Sequence, residues 1–239
     1  MSIVGGPPFA FGDTSAAVAL PPLTMGDHLD QPTFHARYEA MPRGTRAELI
    51  EGIVYMPSPT GPRHSLTHAR IGRWLAPFEE SSPGVEVHVN ATFYLGRKTE
   101  VQPDVAMLLL PEYGGQVRVD QFFRGGPELA VEAALTTESY DLHTKLRAYR
   151  KANVREYVVV ALWQSEVFWF VNRGGKFERL APSADGLLRS AFFPGLWLDP
   201  AALLVGDIKR VEEVARRGLE IPEHKAWARR LKATKRPST

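Results

Sequence analysis

Two short apolar segments that each carry one acidic residue constrain the fold of this chain more than any other feature. Residues 101–110 are almost continuously apolar after Asp104, and residues 128–135 are apolar on both sides of Glu132. Uninterrupted apolar strands are typical of sheets that are covered on both faces. We therefore predict two buried strands here, with the strand at 101–110 lying centrally in its sheet.

The patterns around these segments predict a mixture of helices and strands. Apolar side chains recur at helical spacing in residues 63–80 and 139–152, and they alternate with polar ones in residues 85–95. Further strands are predicted at residues 47–56, 156–162, 165–171 and 176–181, the last two forming a hairpin. This order predicts an α/β (α+β) fold, in which a mixed central sheet is flanked by helices.

Three regions are expected along the 239 residues. Residues 1–34 begin with a Gly-, Pro- and Ala-rich stretch without periodicity, which predicts an irregular extension. Residues 35–205 hold the predicted sheet, and residues 206–239 form a basic, helical tail. The long connection at residues 111–127 predicts a flap or rim over a site.

The composition is that of a globular protein, with 44% hydrophobic and 23% charged residues. A net charge of +2 is too small to identify a nucleic-acid-binding protein. The absence of cysteine excludes disulfides and thiolate metal sites and fits a reducing compartment. The first basic residue is Arg37, and no apolar run approaches the roughly 20 residues that span a bilayer. We expect a cytoplasmic protein that has no membrane partner.

A carboxylate on a buried strand needs a partner, because its removal from water is costly unless it is paired or bound to metal. Asp104 follows Pro103 at the predicted beginning of an apolar strand. Alternation along the next buried strand places Glu132 on the same face as Ala130 and Ala134. Their small side chains leave space for a metal ion or a substrate beside Glu132.

Lys145 is the third unusual position, because it lies in the apolar stripe of the predicted helix at 139–152, between Leu142 and Tyr149. One interpretation is a long side chain that buries its stem and sends its ammonium outward to solvent. The other is an ammonium that faces the carboxylate of the preceding strand. Asp141, one turn earlier, is placed to pair with it.

Two further pairs remain open. Glu48 and Glu51 lie three apart in one predicted strand, so only one of them can face the site, and either could be a solvated edge carboxylate. His64 and His68 lie four apart at the start of a helix, a spacing that suits Zn²⁺. Because no third ligand is apparent in the sequence, we favour separate roles for the two histidines.

These residues together resemble the Uma-type restriction endonuclease family of the PD-(D/E)xK nuclease superfamily, over about residues 35–205. The resemblance rests on segments in a fixed order: Glu48-Leu49-Ile50-Glu51-Gly52, Pro57-Ser58-Pro59 with Arg63-His64, Gln102-Pro103-Asp104-Val105, Gly126-Pro127-Glu128-Leu129-Ala130-Val131-Glu132, Tyr140-Asp141 with Lys145, Tyr149, Ala152, Val154 and Arg155-Glu156-Tyr157. It implies a restriction endonuclease-like core.

The resemblance also implies the roles of particular residues. Glu48, Asp104 and Glu132 would be metal-binding carboxylates, and Lys145 would be the lysine of the superfamily, moved from strand to helix. The simpler pattern has that lysine at position 134, where this chain has Ala134. The implied supporting residues around the four catalytic ones are His64, Gln102 and Asp141.

This chain departs from the family pattern after Glu132. The family has a Val-Leu-Ser-Pro-Ser-like turn, whereas this chain reads Ala-Ala-Leu-Thr-Thr-Glu over residues 133–138. The family also tends to have acids where this chain has Ile53 and Ala161. The altered turn bears on where Lys145 lies.

The expected function is Mg²⁺-dependent hydrolysis of DNA phosphodiester bonds, with Mn²⁺ as a substitute. The alternative is a catalytically silent protein of the same fold that binds DNA or a protein partner. Cutting both strands with one site per chain would favour a homodimer. The basic tail could attract phosphates or be a solvated helix, and we favour the solvated helix. The aromatic residues of 163–197 could stack on bases or pack in the core or in a dimer interface, and we favour packing.

Overall fold

The computed structural model of this protein describes residues 20–57, 61–135 and 137–235. Its strands are β1 (Glu48–Ile50), β2 (Ile53–Tyr55), β3 (Val85–Val89), β4 (Phe93–Gly96), β5 (Thr99–Val101), β6 (Val105–Leu109), β7 (Arg118–Val119), β8 (Phe123–Arg124), β9 (Leu129–Ala134), β10 (Glu156–Ala161), β11 (Glu166–Arg173), β12 (Lys176–Arg179), β13 (Leu188–Arg189) and β14 (Trp197–Leu198). Its α-helices are α1 (Gln31–Glu39), α2 (Pro62–Ser81), α3 (Leu146–Lys151), α4 (Pro200–Val205), α5 (Ile208–Leu219) and α6 (Pro222–Thr234). A 3₁₀ turn covers Pro111–Tyr113, and a π-helix, Tyr140–Lys145, runs directly into α3.

The main sheet has the strand order β12-β11-β10-β9-β6-β3. Strands β9 and β10 are parallel, and the other neighbours are antiparallel, so the predicted mixed sheet is confirmed. One face packs on α2, α5 and α6 through a core that includes Trp74, Val131 and Val211. The other face packs on α3 and on a second sheet through Ala130 and Tyr149. Both β6 and β9 are buried throughout, as their sequences predict.

The second sheet has the order β2-β1-β5-β4-β8-β7. Two segments that were each predicted to form one strand contribute a strand to each sheet. The segment at 85–95 is not one strand, since Asn90 has a positive φ of 52° and separates β3 in the main sheet from β4 in the second. The segment at 101–110 is likewise divided, because Pro103 has no N–H to donate and separates β5 from β6. Strand β6 lies next to the edge strand β3 and not at the centre. The chain therefore passes between the two sheets at two adjacent places.

The predicted strand at 47–56 is also wrong in detail, because it is a hairpin of β1 and β2. Its turn consists of Glu51 and Gly52, with φ of 53° and 87°. Two positive φ values in a two-residue loop are the requirement of a type I′ turn. The connection at 111–127 contains β7 and β8, which extend the second sheet through β4.

At the two ends of the chain, residues 1–19 of the predicted irregular extension lie outside the described residues, and α1 begins at Gln31, inside the range 1–34. The helical pattern from Ile208 onward is confirmed by α5 and α6. These helices pack on the domain, because Val214 and Leu231 are buried. Among the aromatic residues, Trp169 is buried in the core, whereas Trp163 is exposed. No helix in the described part of the chain is both long and apolar enough to cross a membrane.

Candidate active site

The ammonium group of Lys145 is the point at which the predicted site residues meet. Its Nζ lies 2.9 Å from Glu132 Oε1 and 3.0 Å from Glu48 Oε2. Asp141 Oδ1, one turn earlier in the π-helix, is 3.9 Å away. All four side chains are buried. The lysine therefore faces the carboxylates and does not extend to solvent.

Strand geometry accounts for the position of Glu132. It lies in β9 on the face of Ala130 and Ala134, as alternation predicts, and that face looks toward α3. Tyr149, in the first turns of α3, donates its hydroxyl hydrogen bond to Glu132 Oε1 at 2.8 Å. Lys145 and Tyr149 are four residues apart, so one helix face holds one carboxylate oxygen from two sides.

Asp104 lies beside Glu132, where β5 leaves the second sheet and β6 begins. Its Oδ2 accepts a hydrogen bond from the Ala133 N–H at 2.8 Å, and its own N–H donates to Glu132 Oε2 at 3.4 Å. These two bonds tie the Glu132 carboxylate to the backbone of Asp104, and the Asp104 carboxylate to the residue that follows Glu132 in β9. His64 Nε2, at the start of α2, lies 3.2 Å from Asp104 Oδ2.

Gln102 and Asp141, the remaining predicted residues, form hydrogen bonds around these groups. The backbone N–H of Gln102 donates to Glu48 Oε1 at 2.8 Å, while its side-chain amide donates to Tyr38 and Thr92. Asp141 Oδ2 accepts from the Thr137 hydroxyl at 2.6 Å. Gln102 thus acts on the site through its backbone.

The structure also distinguishes Glu48 from Glu51. Because the turn of the β1–β2 hairpin contains Glu51, its carboxylate lies at the surface, where it pairs with Lys151 and Arg147. Glu48, at the start of β1, is directed to Lys145. The two carboxylates therefore do not belong to one site.

These groups line an open cleft of about 420 Å³. Its walls come from β1, the start of α2, the β5–β6 junction, the end of β9 and the π-helix. The lining side chains with ionisable groups are Arg46, Glu48, His64, Asp104, Glu132, Tyr140, Asp141 and Lys145. The four predicted catalytic residues therefore lie together in one accessible cavity.

Comparison with known families gives the context of this cleft. The model of the Uma2 family, described as "Putative restriction endonuclease", matches residues 32–201. This chain belongs to the Uma2 family. The predicted resemblance is confirmed, and the description of the family indicates a nuclease. All four predicted catalytic residues lie within the matched range.

The solved structures that resemble this Uma2 chain include the "Crystal structure of a putative nuclease belonging to DUF820" from Anabaena variabilis. It is 16% identical in sequence, with a TM-score of 0.47, and the match covers 71% of this chain and 97% of that one. No curated protein matches the chain.

The cleft of this Uma2 chain carries an excess of negative charge. The carboxylates of Glu48, Asp104, Glu132 and Asp141 face the cations Lys145 and His64, which leaves a formal charge of −2 when all six groups are ionised. With Arg46, which also lines the cleft, the formal charge is −1. Burial, aided by repulsion from Asp104, raises the pKa of Glu132 well above its usual range. Burial raises the pKa of Asp141 to about 6. The cluster therefore favours the uptake of positive charge.

The pKa values of the other groups follow from their partners. Burial alone would lower the pKa of Lys145, but Glu132, Glu48 and Asp141 outweigh it and raise that pKa, so the ammonium stays charged. Burial would likewise raise the pKa of Asp104, but the hydrogen bond and charge of His64 outweigh it and lower that pKa. The same hydrogen bond raises the pKa of His64.

Sequence reasoning missed two features of the site. The first is the Tyr149 hydroxyl, although its place in the apolar stripe with Lys145 was a usable signal. The second is the position of Asp104 beside His64 and His68, because the sequence showed no third ligand for the two histidines. In the described part of the chain, His64, His68 and Asp104 form a group whose ligand atoms all lie within 4.8 Å of one another.

Proposed function

We propose that this protein is a Mg²⁺-dependent endonuclease that hydrolyses phosphodiester bonds in DNA, with Mn²⁺ able to replace Mg²⁺. The observation that carries the proposal is the buried contact of Lys145 with Glu132 beside Asp104, at the wall of an open cleft. Two carboxylates can bind a metal ion and a neighbouring lysine can stabilise developing negative charge, and both functions serve metal-assisted phosphodiester hydrolysis.

The carboxylates of the cleft offer the type of oxygen ligand that a hard divalent cation prefers. Mg²⁺ prefers carboxylate oxygens and keeps several of its waters, so two or three protein oxygens suffice. Asp104 and Glu132 would hold the ion, with Glu48 as the third carboxylate. A charge of +2 would balance the formal excess of negative charge in the cluster. Membership of the Uma2 family supports the same assignment.

Each side chain would have a defined part in hydrolysis. When bound, Mg²⁺ lowers the pKa of a water and offsets the charge that develops on the phosphate. Lys145 is held by Glu132 and Glu48, so its ammonium is fixed in place before the reaction and can stabilise that developing charge. Tyr149 fixes the orientation of Glu132 through a hydrogen bond to Oε1. Hydrolysis then forms one P–O bond to water and breaks one P–O bond to the sugar.

The entrance of the cleft suits the phosphate backbone of DNA. Helix α2 begins at Pro62, and both Gly61 and His64 line the cavity. The N-terminus of a helix carries partial positive charge and exposed N–H groups, which favour phosphate. Arg46 also lines the cavity. Binding through these groups would be sensitive to salt and would carry little sequence information.

The test is incubation of purified protein with supercoiled plasmid in Mg²⁺ or Mn²⁺, compared with EDTA. Glu132→Gln and Lys145→Met should each lower the cleavage rate by roughly 10²–10³-fold, as removal of one group that stabilises the transition state typically does. Glu128→Gln is the matched control, because Glu128 is a buried carboxylate of the same strand segment that accepts hydrogen bonds from Leu109 and Gln116, outside the cleft. It should cleave at close to the wild-type rate.

Two results would contradict the proposal. Cleavage that survives both Glu132→Gln and Lys145→Met would mean a contaminant or another site. DNA binding by the wild type without cleavage in either metal would favour the catalytically silent alternative. A homodimer and a cytoplasmic location stay predictions, which sedimentation and cell fractionation would test.

A further inference from the structure

We propose that His64, His68 and Asp104 form a binding site for a divalent transition-metal ion such as Zn²⁺ or Co²⁺. The site shares Asp104 with the proposed Mg²⁺ ligands, but its other two ligands are nitrogens. The positions of these side chains support the site, whether or not the protein cleaves DNA.

Helix geometry brings the two imidazoles together. His64 and His68 are four residues apart in the first turns of α2, so they lie on one face of the helix. Their ring centroids are 6.1 Å apart, with the rings at 79° to each other. The two rings are therefore neighbours that do not stack on each other.

Asp104 supplies the third ligand that the sequence did not reveal. Its Oδ2 lies 3.2 Å from His64 Nε2, and its backbone carbonyl is in contact with His68 Nε2. The ligand atoms of the three residues all lie within 4.8 Å of one another. Ligands about 2.0–2.2 Å from a Zn²⁺ ion are separated from each other by roughly 3–4 Å, so adjustments of about 1 Å would complete the site.

The chemistry of the ligands selects the ion. Imidazole nitrogen binds Zn²⁺, Co²⁺ and other transition metals, whereas Mg²⁺ requires oxygen ligands. Both histidines are partly exposed, so an ion can reach them from solvent. His64 Nδ1 is buried and takes no hydrogen bond within the described residues, so no second partner fixes the orientation of this ring. Three protein ligands also leave a coordination position open to water.

The experiment uses the full chain, freed of metal with a chelator that is then removed. Co²⁺ is titrated while its visible absorption is recorded, and Zn²⁺ binding is measured by calorimetry. The wild type should bind Co²⁺ with an absorption spectrum characteristic of nitrogen ligands. His64→Gln and His68→Gln should each weaken Zn²⁺ and Co²⁺ binding by at least about tenfold, since even indirect partners of metal ligands cost that much.

The control is His28→Gln, because His28 is exposed and forms its bridge with Ile53, on β2. It should bind Zn²⁺ and Co²⁺ as the wild type does. Thermal melting of each variant shows whether it is folded. The Co²⁺ spectrum of the wild type provides a measurement that needs no variant.

The proposal is overturned if Co²⁺ shows only oxygen ligation, or if folded His64→Gln and His68→Gln bind Zn²⁺ as tightly as the wild type. None of these measurements uses DNA. A protein that binds Co²⁺ through both histidines but does not cut plasmid would refute the proposed nuclease and leave this site standing. A protein that cuts plasmid with Mg²⁺ but binds Co²⁺ without nitrogen ligation would support the proposed nuclease and refute this site.

Discussion

Replacement of Lys145 by methionine should be strongly destabilising at neutral pH. The ammonium lies 2.9 Å from Glu132 and 3.0 Å from Glu48, and both carboxylates are buried. Methionine has a similar volume, so the change removes the charge and leaves the packing largely intact. Removing one partner of a buried ion pair typically costs about 3–5 kcal/mol, because the remaining charge is left without compensation. We expect the free energy of unfolding to fall by that amount at pH 8.

The pH dependence of this loss separates electrostatics from packing. Without the ammonium, the pKa of Glu132 and of Asp141 should rise further, and Asp141 already has a pKa of about 6 in the wild type. A carboxylate whose pKa is raised on folding stabilises the protein below its unfolded pKa, and that contribution is lost as pH rises through the folded pKa. The deficit of Lys145→Met should therefore be largest at pH 8 and smaller at pH 5.5.

The assay is urea unfolding, followed by tryptophan fluorescence in EDTA at both pH values. Lys151→Met is the matched control, because Lys151 pairs with Glu51 at the surface, where a pair contributes only about 0–1 kcal/mol. The reasoning is refuted if Lys145→Met loses no more stability than Lys151→Met at pH 8. It is also refuted if the deficit is equal at the two pH values, since that would indicate lost packing.

Three further predictions concern the same fold. Tyr149→Phe should lower the free energy of unfolding by about 1.5–3 kcal/mol, since it removes a buried hydrogen bond to the Glu132 carboxylate. Urea unfolding measures this change, and a loss under about 0.5 kcal/mol would contradict the prediction. Burial raises the pKa of Glu156, so its contribution to stability is lost as pH rises from about 4.5, and Glu156→Gln should remove that part of the slope in a pH series of unfolding curves. Mg²⁺ at ten times its Kd should raise the free energy of unfolding by about 1.4 kcal/mol, which is detected as a higher Tm that EDTA reverses. Glu132→Gln should not show this rise in Tm, and an equal rise in the variant would mean that the ion binds elsewhere.

The sequence was sufficient where one local pattern decided the outcome. Helix α2 was predicted at 63–80 and spans Pro62–Ser81, because its apolar stripe is long and regular. Alternation placed Glu132 on the correct face of β9, an inference that depends only on strand periodicity. The apolar stripe placed Lys145 on the core-facing side of its helix, but it did not show that residues 140–145 form a π-helix or that the ammonium meets Glu132.

Features that depend on a break in the chain or on distant residues were not predictable in the same way. Pro103 was a visible signal against one continuous strand at 101–110, but the apolar run outweighed it. The choice between Glu48 and Glu51 depended on the hairpin turn at Gly52, which moves the second carboxylate out of the strand. The approach of His68 to Asp104 joins α2 to a strand junction 36 residues later, and no local pattern reports it.

The passage of the chain between the two sheets has a mechanical consequence for the site. Glu48 belongs to the second sheet, whereas Glu132 and Lys145 belong to the main sheet and the helix that packs on it. A sliding movement of one sheet on the other, with the helix staying on the main sheet, would change the distance from Glu48 to Lys145 and leave the distance from Glu132 to Lys145 unaltered. The number of carboxylates that the ammonium neutralises, and hence the charge offered to a cation, therefore depends on how the two sheets are docked.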